Sequence, residues 1–265
     1  MKINACITTS WDDGHPLDFR VAELLAANGL RGTFYIPRSA RTPTMSPAQV
    51  RELSESFEIG GHTLDHVALT RLDAPGARGQ VAACKAWVED VTGVPCPMFC
   101  PPLGKFDASH LRMVRDAGFV GMRTVEMMSL DFPRPRGGVM VMPTTLQVFP
   151  HGRRGYLKNL ARRAAFGNLW RYILHGRSRE GLVLADALVE LVLRRGGVFH
   201  LWGHSWELEE AGQWGRLESV LSALGQVAAR ADVLTNGQLC REACAPATSP
   251  WDAALAASAA TDRSD

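Results

Sequence analysis

Two neighbouring carboxylates stand where the first apolar run of the sequence ends. Asp12 and Asp13 follow residues 3–9, which have the pattern of a strand, and Gly14 and His15 come next. Adjacent carboxylates repel each other, and a bound cation or a shared proton would offset that repulsion. The same residue types also form turns that begin helices, so a structural role is the alternative. The pair is therefore a candidate for cation binding or proton transfer.

Two histidines follow a second strand-like run. His62 and His66 come directly after the Gly-Gly turn that ends residues 57–61. If this segment is helical, residues four apart share one face. Both rings could then bind one divalent metal, with nitrogen–zinc distances of about 2.0–2.1 Å. A pair of structural histidines is the alternative interpretation.

Two further polar segments end strand-like runs in the same way. The first is Cys100-Pro101-Pro102-Leu103-Gly104. The second contains His200, Trp202, His204 and Trp206. In an extended strand His200 and His204 would point to the same side, which makes both of them candidates for one cavity.

Strand-like and helix-like runs alternate along most of the sequence, as is typical of a mostly parallel sheet wrapped by helices. Helices are predicted over residues 17–28, 77–91, 182–195 and 214–230, whereas residues 126–150 are predicted to be irregular. About seven parallel strands favour a distorted, incomplete (β/α) barrel over an open doubly wound sheet. In either α/β fold the carboxyl ends of the strands form one edge, so the four polar segments are expected to meet there.

Composition excludes several classes of protein. The chain has 265 residues, of which 46% are hydrophobic and 21% charged, and this argues against a mostly disordered protein. A net charge of +2 gives no global basic field for nucleic acid. No apolar run reaches the ~18 residues of a membrane span, and the first residues lack a signal-peptide pattern, so a cytoplasmic location is predicted. The six cysteines are predicted to be reduced and mostly buried.

One segment and the tail differ from the rest. Residues 151–179 contain eight Lys and Arg residues, no acidic residue and several apolar ones. This pattern predicts a basic helical insertion, which would either contact anionic lipid or a diphosphate or pack as a lid with a solvated basic face. Residues 245–265 are rich in Ala, Ser and Thr, so a folded domain is predicted over residues 1–244 with a flexible tail after it.

Taken in this order, the four polar segments resemble the motifs of the NodB-like polysaccharide deacetylases, carbohydrate esterase family 4. The resemblance covers about residues 3–235. The family's first motif ends in Asp-Asp-Gly, as at Asp12-Asp13-Gly14, and its second is His-Ser/Thr-x-x-His, as at residues 62–66. A Pro-containing turn matches residues 101–104, and the histidine of the last motif is placed at His204.

The resemblance implies an N-deacetylase with a divalent metal, most often zinc, with cobalt, nickel and iron as alternatives. Its ligands would be Asp13, His62 and His66. Asp12 would be the general base for a metal-bound water, and His204 would protonate the leaving amine, with His200 as the competing choice. The backbone N–H of Leu103, next to Pro102, would bind the oxyanion. Trp202 and Trp206 would either stack on a sugar ring or pack in the core.

The sequence departs from the family pattern in the third motif. The family often has an arginine at the position of Cys100, where it orients the base, and a neutral thiol cannot form that charge-assisted pair. Arg123, at the end of the next strand, is the candidate replacement, and Asp131 is a candidate acidic partner for it. Leu103 stands where the family often has tyrosine.

A cytoplasmic deacetylase would not meet mature wall polysaccharide. The expected substrate is therefore an acetamido sugar in a sugar nucleotide, in a lipid-linked glycan precursor or in a small metabolite. Two alternatives stay open: a hydrolase of a cyclic amide or imide, and a non-catalytic glycan-binding relative.

Overall fold

A computed structural model of the chain describes residues 4–148, 168 and 181–244. The basic segment predicted over residues 151–179 lies outside the described residues except for Asn168. The predicted tail from residue 245 also lies outside them. The end of the folded domain at residue 244 therefore stays a prediction.

Ten strands form one sheet within the described residues. They are β1 (Ala5–Asp12), β2 (Gly32–Ile36), β3 (Glu58–Gly61), β4 (Met98–Phe99), β5 (Gly121–Arg123), β6 (Arg134–Arg136), β7 (Val139–Met142), β8 (Leu146–Gln147), β9 (Gly197–Gly203) and β10 (Asp232–Val233). Their order is β6-β7-β5-β4-β3-β2-β1-β9-β8, and β10 lies beside the start of β1. Neighbouring strands are parallel except for β6 and β7.

The described ranges also contain eight α-helices. They are α1 (Asp18–Ala27), α2 (Pro47–Ser54), α3 (Ala74–Thr92), α4 (Ala108–Asp116), α5 (Gly181–Arg195), α6 (Ser205–Glu210), α7 (Trp214–Val227) and α8 (Asn236–Cys244). Local sequence signals mark several helix ends. Ser46 and Gln49 form a capping box at α2, and Gly93 ends α3 in the left-handed conformation. None of these helices combines the length and the apolar character that crossing a membrane requires.

The predicted fold class is confirmed, because the sheet curls into a distorted, incomplete (β/α) barrel. The strand count differs from the sequence-based expectation of about seven parallel strands. The prediction of an irregular segment over residues 126–150 is wrong in part, since the short strands β6, β7 and β8 lie there. Strands of two to four residues are too short to show a recognisable periodicity. Strand β7 is defined by its pairing with β5, and β8 by its pairing with β9.

Side chains alternate between the inside of the barrel and the layer beneath the helices. The interior apolar cluster consists of Cys6, Tyr35, Met98, Cys100, Met140, Met142, Val198, Leu239 and Cys240. On β1, Thr8, Ser10 and Asp12 have the same parity as Cys6 and point to the same side. Strand β1 therefore carries polar groups from the middle of the barrel to its carboxyl end.

Helix α8 closes the amino end of the barrel. Asn236, its first residue, is fully buried. Its Oδ1 accepts a hydrogen bond of 2.8 Å from the Tyr35 hydroxyl, and its Nδ2 donates one of 2.8 Å to Thr8 Oγ1. A Cβ atom at Gly121 would lie 2.8 Å from Cys240 Sγ, so the glycine allows α8 to approach β5.

Glu58 completes the polar group at this end. Its carboxylate accepts hydrogen bonds from the hydroxyls of Thr33 and Thr235 and from the backbone N–H of Gly237. We call the following residues the amino-end cluster: Thr8, Thr33, Tyr35, Glu58, Thr235 and Asn236. Every buried side-chain nitrogen and oxygen atom of this cluster has a hydrogen-bond partner.

Candidate active site

The carboxyl end of β1 places two buried carboxylates side by side. Asp12 is the last residue of the strand and Asp13 begins the turn, and they are 3% and 5% exposed. Asp13 has a φ of 78°, and its backbone N–H donates to the Tyr35 carbonyl at 3.1 Å. A Cβ atom at Gly14 would lie 2.6 Å from Ile36 Cγ2, so only glycine fits this turn. The turn redirects the chain, which lets both carboxylates face the same end of the barrel.

The two histidines reach one oxygen of Asp13 from the loop after β3. His62 Nε2 lies 3.4 Å and His66 Nε2 lies 3.0 Å from Asp13 Oδ1. The histidines do not share a helix face, because residues 62 and 63 belong to an irregular loop. Thr63 and His66 have φ values of 56° and 50°. Left-handed backbone at non-glycine residues is costly and is typical of functional loops.

Asp65 holds this histidine loop in place. Its Oδ1 accepts hydrogen bonds from Arg38 Nη2 at 2.8 Å and from Ser39 Oγ at 3.0 Å. Its Oδ2 accepts one from Gln80 Nε2 at 2.9 Å, and its backbone N–H donates to Gln80 Oε1. These contacts join the loop to the segment after β2 and to helix α3.

The donor set of Asp13, His62 and His66 fits a divalent cation. His62 Nδ1 lies 2.7 Å from the Cys100 carbonyl, which can only accept, so Nδ1 carries the proton and Nε2 presents a lone pair. That lone pair faces Asp13 Oδ1, a buried oxygen without a hydrogen-bond partner in the described part of the chain. Burial alone would raise the pKa of Asp13, but histidines that are protonated at Nε2 would more than offset it and hold the pKa well below its usual range. Two acceptors that face each other need a proton or a metal cation between them, and two imidazoles with one carboxylate form a common zinc ligand set.

A second group of possible ligands overlaps the first. Asp12, His62 and Cys100 also have ligand atoms within 4.8 Å of one another. Burial raises the pKa of the Cys100 thiol well above its usual value, so it is a poor ligand, and Asp12 is already paired with Arg123. The set with Asp13 is therefore the better candidate.

Arg123 is the partner of Asp12. It is the last residue of β5 and is fully buried, and its Nη2 donates to Asp12 Oδ1. Burial alone would lower the pKa of Arg123, but the Asp12 carboxylate outweighs it and raises the pKa. The prediction of Asp131 as an acidic partner of Arg123 is wrong, because Asp131 pairs with Arg134 at 3.3 Å.

Two aromatic rings enclose the Arg123 guanidinium inside the barrel. Its carbon lies 5.0 Å from the ring centre of Tyr35 and 4.8 Å from that of Trp202. Nε and Nη1 of Arg123 and Nε1 of Trp202 are buried donors without a partner in the described residues. Trp202 is 5% exposed, so of its two predicted roles the structure favours packing in the interior over stacking on a sugar.

His204 follows β9 and faces both carboxylates. Its Nε2 lies 3.9 Å from Asp12 Oδ2 and 4.0 Å from Asp13 Oδ2. Its Nδ1 is 2.7 Å from Glu207 Oε2. Burial lowers the pKa of His204, but the hydrogen bond that the ring donates to Glu207, together with the nearby carboxylates, outweighs it and raises the pKa to about 9. The ring is therefore held as a proton donor beside Asp12.

His200 lies deeper in the barrel and is not placed to be the acid. It is 1% exposed. Its Nδ1 lies 3.1 Å from the Pro143 carbonyl and therefore donates to it, so its Nε2, at 2.8 Å, accepts from the Ser10 hydroxyl. Burial and Arg123 lower the pKa of His200 to about 3. The neutral ring is a structural part of the interior.

The first turn of α6 contacts the turn after β1 and the start of α1. Trp206 Nε1 donates to Asp13 Oδ2 at 2.9 Å, and Ser205 Oγ donates to Asp18 Oδ1 at 2.5 Å. Asp18 is fully buried, and burial raises its pKa well above the usual value. The sequence interpretation gave no role to Asp18, nor to Glu207. A carboxylate three residues after a histidine at a helix start could have indicated Glu207, whereas nothing local indicates Asp18.

Leu103 lies in the short helical turn Pro102–Gly104 after β4. It has a φ of 59°, and its side chain is 61% exposed, which is unusual for a large apolar group in the described part of the chain. The turn follows Cys100, whose carbonyl binds His62. The loop that carries Leu103 is thus directly connected to a candidate metal ligand.

Part of the chain is similar to a known protein family and to a curated protein. Residues 3–122 match the family described as polysaccharide deacetylase. An uncharacterized protein of Streptomyces coelicolor is 27% identical over 114 residues, which are 43% of this chain and 45% of that protein. The match thus spans less than half the length of the curated relative.

Solved structures resemble the chain over most of its length. A polysaccharide deacetylase homologue from Mycobacterium smegmatis superposes with a TM-score of 0.64 at 15% identity, covering 91% of this chain and 90% of that one. A family 4 carbohydrate esterase from Streptomyces lividans in complex with acetate gives 0.52 at 16% identity, covering 89% and 96%. An allantoinase gives 0.62 at 12% identity, covering 91% of each chain. At these identities the similarity shows the fold alone.

Proposed function

We propose that this chain is a metal-dependent hydrolase that removes the acetyl group from an acetamido sugar. The match of residues 3–122 to the polysaccharide deacetylase family supports the proposal, as does the resemblance of its motifs to those of the NodB-like enzymes of carbohydrate esterase family 4. One observation carries the metal dependence. The lone pair of His62 Nε2 faces an unpartnered, buried oxygen of Asp13, and His66 Nε2 faces the same oxygen. When bound there, a divalent cation supplies Lewis acidity toward a water molecule and toward the amide carbonyl.

Asp12 is the proposed general base. Arg123 holds Oδ1 of its carboxylate, which leaves Oδ2 to take a proton from the attacking water. The guanidinium also gives the buried Asp12 carboxylate an ion-pair partner. Arg123 thus takes the role that the family assigns to an arginine at the position of Cys100.

His204 is the proposed general acid. Glu207 binds Nδ1 and keeps Nε2 directed toward the carboxylates. From there Nε2 can donate a proton to the amine nitrogen as the carbon–nitrogen bond breaks. The backbone N–H of Leu103 is proposed to stabilise the negative charge that develops on the carbonyl oxygen.

The substrate class is proposed as N-acetylated sugars. One structural neighbour is a peptidoglycan N-acetylglucosamine deacetylase from which this chain differs at most positions, with 14% identity and a TM-score of 0.53. A sugar nucleotide and a lipid-linked glycan precursor stay predictions, as do the cytoplasmic location and the contact of residues 151–179 with anionic lipid. Sedimentation with anionic and neutral vesicles tests that contact, and equal recovery with both would contradict it.

The test combines metal content with product release. We expect about one zinc, cobalt, nickel or iron per chain in the purified protein and much less in His66→Ala. Acetate release is measured with N-acetylglucosamine, its oligomers and its nucleotide sugar, and ring opening is measured with allantoin. Metal-dependent acetate release supports the proposal. A protein without metal after supplementation, or one that opens only the cyclic amide, contradicts it.

A further inference from the structure

The two carboxylate oxygens of Asp13 have different partners. Oδ1 faces the Nε2 atoms of His62 and His66, at 3.4 and 3.0 Å. Oδ2 accepts the indole N–H of Trp206 at 2.9 Å. A carboxylate that has one oxygen occupied by a fixed donor presents the other oxygen as a single ligand, and such outer contacts orient metal ligands.

Trp206 belongs to a turn whose consecutive side chains each contact a different part of the candidate site. Ser205 binds Asp18 at the start of α1, and Glu207 binds His204. The Trp206 ring lies 5.6 Å from the ring of His204. Trp206 therefore touches both the proposed metal ligand and the proposed acid, although its sequence position is 193 residues from Asp13.

We propose that Trp206 is a positioning residue for the metal centre. Its indole N–H holds Asp13 Oδ2 so that Oδ1 is the oxygen offered to the cation. Because Trp206 lies two residues after His204, the same contact fixes the acid relative to the metal. This inference rests on the proposed function and replaces the predicted role of Trp206 in stacking on a sugar.

Trp202 provides a matched control within the chain. Its ring also lies beside His204, at 5.7 Å, but its indole N–H has no partner among the described residues. Replacing either tryptophan by phenylalanine removes one ring N–H and keeps an aromatic side chain. Only Trp206→Phe removes a hydrogen bond to a proposed ligand.

The experiment measures metal binding by metal-free preparations of the full-length wild type, Trp206→Phe and Trp202→Phe. Cobalt(II) is titrated while its visible absorption is followed, and zinc affinity is measured by competition with a chelator. We expect Trp206→Phe to weaken binding by about 10- to 100-fold and to change the cobalt spectrum. Trp202→Phe should keep the wild-type affinity. Trp206→Gln, which retains an N–H donor without the ring, should recover part of the affinity.

Two results would overturn the inference. One is wild-type metal affinity and cobalt spectrum in Trp206→Phe together with a raised KM for the sugar, which would make Trp206 a substrate platform. The other is an equal loss of metal affinity in Trp206→Phe and Trp202→Phe, or in Trp206→Phe and Trp206→Gln. Either pattern would indicate that the substitutions disturb the packing around the site rather than one hydrogen bond. Thermal unfolding of the metal-free proteins checks that each variant is folded. If the wild type itself binds no metal, the proposed function fails instead, so the two failures are distinguishable.

Discussion

The barrel contains a buried polar cluster at each end, and the two clusters differ in how well their atoms are paired. In the amino-end cluster every buried side-chain nitrogen and oxygen atom has a partner. We call the following residues the carboxyl-end cluster: Asp12, Asp13, His62, His66, Arg123 and His204. Here Asp13 Oδ1 and two nitrogens of Arg123 lack partners within the part of the chain that the structure describes.

The backbone shows the same contrast. The described non-glycine residues with positive φ are Asp13, Thr63, His66, Leu103 and Met128, and each lies in a loop after the carboxyl end of a strand. Buried polar groups in folded proteins are almost always paired, and strained backbone is rare. Where both exceptions occur together, the local structure has been shaped by something other than stability. The amino-end cluster has the pairing expected of a structural element.

We expect the largest effect from Asp13→Asn. This substitution should weaken metal binding without lowering the stability of the metal-free protein. The amide can keep the bond from Trp206 through its oxygen and donate to the histidine lone pairs, but it is a poor ligand. We expect kcat/KM to fall by about 10³-fold or more. The free energy of unfolding of the metal-free protein should stay equal or rise by about 1 kcal/mol. Denaturant unfolding and metal titration check both parts, and a clear loss of metal-free stability would contradict the comparison.

Arg123→Ala should damage both properties, since it leaves the Asp12 carboxylate buried without its partner. Removing one partner of a buried ion pair costs about 3–5 kcal/mol. We expect a lower unfolding midpoint in urea together with lower kcat. Arg123→Lys, which keeps the charge, is the control and should lose less stability. Equal stability of wild type and Arg123→Ala would show that the pair is not what holds Asp12.

Asn236→Leu tests the amino-end cluster, where we expect a loss of stability without a loss of metal binding or activity. The change keeps the volume of the side chain but leaves the Tyr35 and Thr8 hydroxyls without their amide partner. We expect a loss of about 1–3 kcal/mol in the free energy of unfolding. Metal affinity and kcat of the folded protein should stay unchanged. A fall in metal affinity without a loss of stability would mean that the two clusters are not separate.

The smallest expected effect is a shift in pH dependence for Glu207→Gln. Glu207 raises the pKa of His204, and a general acid must be protonated, so activity falls as pH rises through that pKa. Neutral glutamine lowers the pKa, and the alkaline limb of kcat/KM should move to lower pH by about one unit. Glu210→Gln, an exposed change on the same helix, is the control. If the alkaline limb of the kcat/KM profile stays at the wild-type pH in both variants, Glu207 does not raise the pKa of the general acid.

Sequence reasoning could predict which residues meet but not how they are held. Parallel strands bring their carboxyl ends to one edge, so Asp12, Asp13, His62 and His204 could be grouped from their positions alone. The spacing of His62 and His66 indicated that they share a face if the segment is helical, but no spacing rule reveals a loop that contains left-handed residues. Arg123 was identified as a candidate only because Cys100 stands where the family often has an arginine.

The contacts that escaped prediction connect distant parts of the chain. Asn236 and Thr8 are 228 residues apart, and Ser205 and Asp18 are 187 residues apart. No local pattern carries such information, because partner choice depends on how the sheet closes. For the same reason the two-residue strand β8, which only its pairing with β9 defines, was not recognised.

The pairing of β1 with β9 has a consequence for how the protein is made. These strands share seven residue pairs and lie at nearly opposite ends of the described chain. During synthesis one edge of β1 therefore stays unpaired until residues 197–203 have left the ribosome. Pairing over such a sequence distance is slow, and an open apolar strand edge is prone to aggregate. We expect truncated or stalled chains that end before β9 to be the species that chaperones must protect.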